Sequence, residues 1–400
     1  MGEWKVKRID ELGKISRGRS RHRPRDDKSL YGGEYPFVQT GDVKASEFYL
    51  SKYSQTYNEK GLAQSKLWEK GTLCITIAAN IAETAILDID ACFPDSIVGF
   101  IPYDDEADVR FVKYSFDMLK KEMQLASLGA TQDNFSVEKM LKFKFVVPDF
   151  QKQKKIADIL SAYDDLIENN NLRIELLEKA AQELYKEWFV RFRFPNHENT
   201  KFVNGLPEGW NICKIGTLYN TSSGGTPSRA NPQFYTGGKY DWIKTGELCD
   251  RFILDTEEKI TEEAVKNSSA KIIPENSLIL AMYGATIGKM GFTTKQATCN
   301  QACCVFKPQK DYGSKYLYFW LLNNREYVIS IGFGAAQQNL SQDLIKNIKM
   351  LQPTESTIKL FEERVDPIFT EIKILLRQNQ NLKKQRDLLL PRLMSGKLEV

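Results

Sequence analysis

Five arginines at alternate positions, Arg17, Arg19, Arg21, Arg23 and Arg25, form the most chemically pointed segment of this 400-residue chain. Alternate residues of an extended backbone project to one side, so the segment predicts a comb of guanidinium groups. Such a comb can straddle phosphates or reach O6 and N7 of guanine. Between residues 14 and 28, seven basic side chains face only Asp26 and Asp27, a net charge of +5, whereas the whole chain carries +4. The charge is therefore local, which predicts one anionic contact zone rather than a generally sticky surface. The competing reading is a solvated loop. A second polar element, Gly-Ala-x-Gln-x-Asn-x-Ser, occurs at 129–136 and again at 334–341. Its Gln132, Asn134 and Ser136, with Gln337, Gln338, Asn339 and Ser341, could hydrogen-bond a nucleic acid; Asn and Ser equally suit a helix N-cap.

Groups able to make or break bonds are scarce. The only histidines are His22 and His197, and seven cysteines form no C-x-x-C pair. Cys299, Cys303 and Cys304 lack metal-ligand spacing and read as buried thiols of a reducing compartment. Asn231-Pro-Gln-Phe234 approaches the Asn-Pro-Pro-Tyr/Phe loop of adenine methyltransferases, but its third residue is wrong. Gly284–Lys289 approaches a phosphate-binding loop, but it is one residue short and Met290 stands where a magnesium-binding hydroxyl belongs. No nucleophile–base pair is visible, so the chain is expected not to be an enzyme and to hold no cofactor or metal itself. Apolar residues make up 42% and charged residues 27%. No run of 18 apolar residues and no apolar leader occur, which predicts a cytoplasmic chain without a membrane span.

The elements that must position these residues follow from an internal repeat. At an offset of 205, GGEYPFVQTGDV (32–43) falls on GGKYDWIKTGEL (237–248), and GTLCITIAANIAETAIL (71–87) falls on NSLILAMYGATIGKMGF (276–292). The latter pair predicts strand–turn–strand twice. The two polar octapeptides keep the same offset. The chain thus reads as two copies of a unit of roughly 200 residues, a length typical of a domain.

Each copy ends in a helical segment. In the first, Ile156, Leu160, Tyr163, Ile167, Asn170, Ile174, Leu177, Ala181, Leu184 and Trp188 step by fours and threes; Phe361 to Leu393 repeats the series. A 3.5-residue period is a coiled-coil seam; the alternative is an amphipathic helix lying on its own domain. Antiparallel pairing with Asn170 opposite Asn379 makes facing residue numbers add to 549, matching Ile156 with Leu393, Ile174 with Leu375 and Trp188 with Phe361. Asn170 and Asn379 are then the residues that fix register. Arg386 falls opposite Tyr163, where a cation can sit over the ring. The predicted fold is α+β: two similar mixed α/β domains, 1–150 and 195–354, separated by two long antiparallel coiled-coil helices, 151–194 and 355–400, with pseudo-two-fold repeat symmetry.

Two related modules at a fixed separation suit duplex DNA. Positions alike in both copies are expected to serve architecture or phosphate contact. Positions that differ are candidates for reading bases: Gln39 against Lys244, Asn80 against Ala285, Thr131 against Ala336, and the 17–25 loop against TSSGGTPSR (221–229). Candidate DNA contacts in the second copy are Ser222, Ser223, Thr226, Ser228, Arg229, Thr245, Tyr283 and Lys289, with Thr40 in the first.

Taken together, these features resemble the specificity (S) subunits of type I restriction-modification systems. The resemblance spans essentially the whole chain. It rests on TGD/TGE (40–42, 245–247), the two octapeptides, QKKIADILSAYDDLIENNNLRIELLEKAAQELYKEWF (153–189), LPEGW (206–210) and LLPRLMSGKLEV (389–400). It implies two target recognition domains, each reading half of a split, asymmetric DNA site, with the helices setting the unread spacer. It further implies docking of two modification (M) subunits that methylate adenine with S-adenosylmethionine, and of restriction (R) subunits driven by ATP. Those cofactors, with magnesium, would belong to the partners. The alternatives are an adenine-specific DNA methyltransferase and a coiled-coil scaffold without a DNA role.

Overall fold

A computed structural model describes residues 4–128, 135–309, 312–332 and 339–400. The chain divides into two compact units, Met1–Asn169 with Asn379–Val400, and Asn170–Gln378. The division falls inside both long helices.

The first unit is built on a five-stranded sheet in the order Gly13–Arg17, Ile97–Pro102, Leu73–Thr76, Thr84–Leu87, Tyr49–Leu50. Every neighbour pair is antiparallel except the last. The strand–turn–strand segment appears where its sequence predicts, with Leu73 opposite Ile86 and Ile75 opposite Thr84. All eight residues of these two strands are buried, which accounts for their continuous rather than alternating hydrophobicity. Val109–Leu128 forms a helix, and Phe111 and Phe116 join Ile75, Val98 and Phe100 in one core. A four-stranded sheet runs Gln55–Tyr57, Tyr31–Phe37, Ala91–Cys92, Leu67–Trp68. Trp68 stacks on Phe93 at 4.8 Å, in space left by Gly99, where a Cβ would lie 2.4 Å from the indole.

The second unit repeats this plan. Its five-stranded sheet runs Thr221–Ser223, Cys303–Phe306, Leu278–Ala281, Met290–Thr293, Arg251–Ile253, again with only the last pair parallel. The smaller sheet is reduced to Lys259–Ile260, Tyr240–Ile243 and Ala297–Cys299. Equivalent strands in equivalent order make the repeat structural as well as sequential.

The long helices are Phe150–Phe189 and Glu355–Met394. In the first unit, Ile156, Ala157 and Leu160 share a core with Leu393 and Met394, and Leu389 packs against it. In the second, Ile174 packs with Ile372 and Leu375, Leu177 borders them, and the Trp188 and Phe361 rings lie 5.8 Å apart. Both sets follow the antiparallel pairing predicted from the seam. Yet Ala157, Asp164, Tyr185 and Phe189 are also buried, more than a two-helix seam requires. Each helix segment lies on its own globular unit as well as on its partner, so the two readings of the heptads combine.

One pairing needs correction. Arg386 does not sit over Tyr163; it forms an ion pair with the buried Asp164 and a 2.9 Å pair with Asp387. The Tyr114 hydroxyl donates to the same Asp164 carboxylate. A charged acceptor one residue along attracts a guanidinium more strongly than a ring face. Burial pushes the Asp164 carboxyl above the usual Asp range, with Arg386 and Tyr114 opposing that push.

Candidate nucleic-acid interface

In each unit the candidate surface begins where the first sheet strand ends. Gly18 follows Gly13–Arg17 and runs so close to the neighbouring chain that a Cβ would meet the Pro94 and Phe93 carbonyl oxygens at 2.3 and 2.4 Å. Arg19 N–H donates to Phe93 O at 3.0 Å. The predicted alternation holds only in part: Arg17, Arg19 and Arg21 are exposed around buried Gly18 and Ser20, but Pro24 between the exposed Arg23 and Arg25 is exposed as well. The strand itself stops at Arg17, and the guanidinium groups are not equivalent. Arg19 donates to Ser65 O at 2.7 Å, and Ser65 Oγ returns a bond to Arg19 O at 2.7 Å. Arg23 donates to the carbonyls of Ser20 and His22, both at 2.7 Å. Arg25 grips both oxygens of Asp95 at 2.8 and 2.9 Å. Arg21 makes no side-chain hydrogen bond or ion pair among the described residues, but its backbone N–H donates to Gln64 Oε1 at 2.6 Å. Gln64 also accepts from His22 N–H and so braces the loop from beneath.

The second unit has the same turn with other side chains. Gly224 presses on Cys299, where a Cβ would lie 2.0 Å from the carbonyl oxygen, and Gly225 N–H donates to Cys299 O at 2.9 Å. Ser223 pairs with Cys304 as Arg17 pairs with Val98. These contacts place the loops at an offset of 206, so that Arg23 corresponds to Arg229, and segments 17–25 and 221–229 do not match end to end. Trp242 Nε1–H and the Tyr235 hydroxyl brace the loop through Gly225 O and Pro227 O, at 3.0 and 2.7 Å. The Arg229 guanidinium lies 4.4 Å from the Tyr235 ring centroid and donates to Glu258 at 2.6 and 3.1 Å. Thr226 donates its hydroxyl proton to Gln301, and Ser228 is exposed. Ser222 Oγ is buried without a partner among the described residues, so it is not displayed.

The twice-used Thr-Gly-acid motif proves to be a capping device. Asp42 accepts from Gln39 N–H at 2.8 Å at the start of helix Thr40–Ala45. Glu247 accepts from Lys244 N–H at 2.7 Å before the short 3-10 turn Thr245–Glu247. This is the acidic arm of a capping box. The carboxylate also reaches a neighbouring segment, Ser54 Oγ in one unit and Glu257 N–H in the other. Identical backbone fixing thus holds a different residue, Gln39 or Lys244, at one place. Each then meets the segment alongside: Gln39 Nε2–H donates to Gln55 Oε1 at 2.7 Å, and Lys244 reaches Glu257 and Glu258, just before strand Lys259–Ile260, at 2.8 and 3.1 Å. Those bonds hold the Lys244 ammonium above its ordinary range, and the Arg229 bond holds Glu258 below its own. In the first unit Gln39 and Gln55 share a cleft of about 540 Å³ with Ser20, Arg25, Lys28 and Ser96.

Other expected contacts lie on the turns between the paired strands or on the polar octapeptides. Asn80 accepts from Lys44 at 3.1 Å. Tyr283 packs against the core of its own unit. Lys289 pairs with Asp250 at 2.9 Å, beside Arg325. Ser136 and Ser341 are N-caps, accepting from Lys139 and Leu344 N–H; Asn339 is exposed. Thr131, Gln132, Asn134, Gln337 and Gln338 lie outside the described residues. Asn170 and Asn379 are both buried. Gln55, Gln64, Asp95, Glu258 and Gln301 went unnoticed in the sequence. Their link to the loops becomes visible only once the repeat offset is allowed to drift between 203 and 206. Among the described residues, no cluster of three His, Cys, Asp or Glu side chains could hold a metal, and no helix is long and apolar enough to cross a membrane.

Comparison with known proteins agrees with this duplicated design. Residues 1–179 and 207–384 each match the sequence model of the type I restriction modification DNA specificity domain. The type I restriction enzyme MjaIX specificity subunit of Methanocaldococcus jannaschii is 26% identical, over 100% of this chain and 94% of that protein. The HindI specificity subunit of Haemophilus influenzae is 25% identical over the whole of both chains. The crystal structure of the type I S subunit from M. genitalium shares the fold with a TM-score of 0.64 and 16% identity, covering 98% of this chain and 96% of that one. The chain therefore belongs to the type I restriction-modification DNA specificity family, and is the non-catalytic, sequence-recognising subunit of such a system.

Proposed function

We propose that each unit reads one half of a bipartite, asymmetric duplex site through the loop after its first strand and the capped residue Gln39 or Lys244. The domains 1–150 and 195–354 act as readers; the helical segments 151–194 and 355–400 scaffold the M and R subunits. S-adenosylmethionine, ATP and magnesium are bound by those partners, and the assembly works in the cytoplasm.

One observation carries the assignment to the capped turn. Gly41 and Gly246 stand at the same place in both copies, yet a Cβ at either would meet nothing within 4 Å. Neither has a positive φ. The fold does not require glycine there, whereas close approach of a ligand to the backbone does. Both glycines are exposed beside the two capped residues that differ, which suits a DNA backbone resting on the turn while the neighbouring side chain meets a base edge.

The test uses the full chain assembled with its M subunits. Gly41→Ala and Gly246→Ala should leave the melting temperature unchanged or slightly raised, while weakening duplex binding about 10-fold or more. Unchanged affinity would remove the turn from the interface. A rival methyltransferase reading predicts S-adenosylmethionine binding by the S chain alone, and a rival scaffold reading predicts no salt-dependent duplex binding.

A further inference from the structure

The two units place chemically different groups, an amide and an ammonium, at one equivalent position. Gln39 and Lys244 occupy the same capped site, and each bonds a residue at or just before the start of the adjacent strand, Gln55 or Glu258. We propose that the second unit reads a G·C pair with Lys244 and Arg229, organised by Glu258, and that the first reads an A·T pair with Gln39 held by Gln55. The inference rests on the half-site reading above and names the bases.

Charge balance comes first. Arg229 and Lys244 are matched by Glu257 and Glu258, and the Glu247 carboxylate, bonded to the Lys244 and Glu257 N–H groups, adds a further negative charge. A cluster without net positive charge adds little to phosphate attraction. What remains is direction. The Lys244 ammonium has three donors and gives two to Glu257 and Glu258, leaving one. The Arg229 guanidinium gives two of its five to Glu258, with the Tyr235 ring at 4.4 Å supporting its plane. This face offers N–H donors from fixed cations, which matches the two acceptors O6 and N7 of guanine; the carboxylate of Glu258 beside them suits the N4 amino group of cytosine. The N6 amino group of adenine would set donor against donor.

The Gln39 amide differs in kind. One N–H is given to Gln55 Oε1 at 2.7 Å, which leaves one N–H and the carbonyl oxygen free of other side-chain partners among the described residues. A donor and an acceptor on one planar amide match N7 and N6 of adenine. The bond to Gln55 fixes the plane before DNA arrives.

The full chain, assembled with its M subunits, is given a randomised duplex library, and the methylated sites are sequenced. The wild type should show a fixed G·C pair in one half and, in the other, a fixed A·T pair besides the one that carries the methylated adenine. Lys244→Gln with Glu258→Gln should lower the preference for G·C about 10-fold or more at one position of one half only. Gln39→Lys with Gln55→Glu should move one position of the other half from A·T toward G·C. Thermal unfolding and intact reading of the untouched half report folding. A motif unaltered by both pairs, with salt-dependent duplex binding retained, overturns the base assignment and leaves the half-site reading standing. Uniform weakening over all sequences also overturns it, because that is the signature of phosphate contact. Loss of fixed bases in both halves from either pair would instead overturn the half-site reading itself.

Discussion

The arginine loop can be dissected by charge. Arg21 is exposed, and its guanidinium has no hydrogen-bonding or ionic partner among the described residues. The bond that shapes the loop there runs from its backbone N–H to Gln64, so Arg21→Ala removes one positive charge and leaves that bond in place. If Arg21 meets one phosphate, the slope of log K against log salt should become shallower by about 0.9. Between 50 and 200 mM salt that amounts to about 3.5-fold less loss of affinity. Arg25 and Asp95 form the matched control. Arg25→Ala alone would leave Asp95 uncompensated, but Arg25→Ala with Asp95→Asn removes one charge of each sign, and the slope should not move. Arg19 and Arg23 bond backbone carbonyls, which hold the groups without cancelling charge; their loss should flatten the slope and loosen the loop together. The assay is fluorescence anisotropy of a labelled duplex with the assembled S–M complex across a salt series. An unchanged slope for Arg21→Ala, or an equal drop for the Arg25/Asp95 double variant, would refute the division of labour.

Two further outcomes concern stability. Gly18→Ala forces a Cβ against the Phe93 and Pro94 carbonyls and should cost about 1–3 kcal/mol, seen as a fall of roughly 2–12 °C in the melting temperature by calorimetry. Arg386→Met leaves the buried Asp164 carboxylate unpaired, at a cost of about 3–5 kcal/mol near neutral pH. Burial already holds the Asp164 carboxyl above 3.8, and the substitution raises it further. The folded variant then retains a proton that the unfolded chain releases. Its deficit should be small below about pH 4 and grow as pH rises through the folded-state value. A deficit independent of pH in denaturant titrations would contradict this.

The repeat, the paired strands and the seam were legible because each leaves a regular mark: a constant offset, a continuous apolar run, a 3.5-residue period. The first half of the arginine comb was legible too, since Arg17, Arg19 and Arg21 are exposed around buried Gly18 and Ser20; beyond them Pro24 is exposed as well and the alternation ends. What the arginines bind was not. Asp95 and Ser65 lie tens of residues away, and only the parallel strand Ala91–Cys92 and the segment before Leu67–Trp68 bring them close. Gln55 and Glu258 escaped for a related reason. The connection before their strand is two residues shorter in the second copy, so a fixed offset of 205 never sets them side by side. Arg386 was misassigned because a seam pattern gives which residues face inward, not which of two inward neighbours, Tyr163 or Asp164, is the stronger acceptor.

The duplicated units separate two physical demands that a single sequence must meet. Gly18 and Gly224, the acids Asp42 and Glu247, and the buried strand pairs do the same work in both copies. They fix backbone position, and any change there costs the fold. Gln39 with Gln55, and Lys244 with Glu258, are attached to that skeleton by side chains on exposed or half-buried positions, where substitution costs little stability. The capping bond is made by the backbone N–H of residue 39 or 244, so the side chain at that position is free to change. A unit built this way can change the side chain at residue 39 or 244 without altering the geometry that presents it.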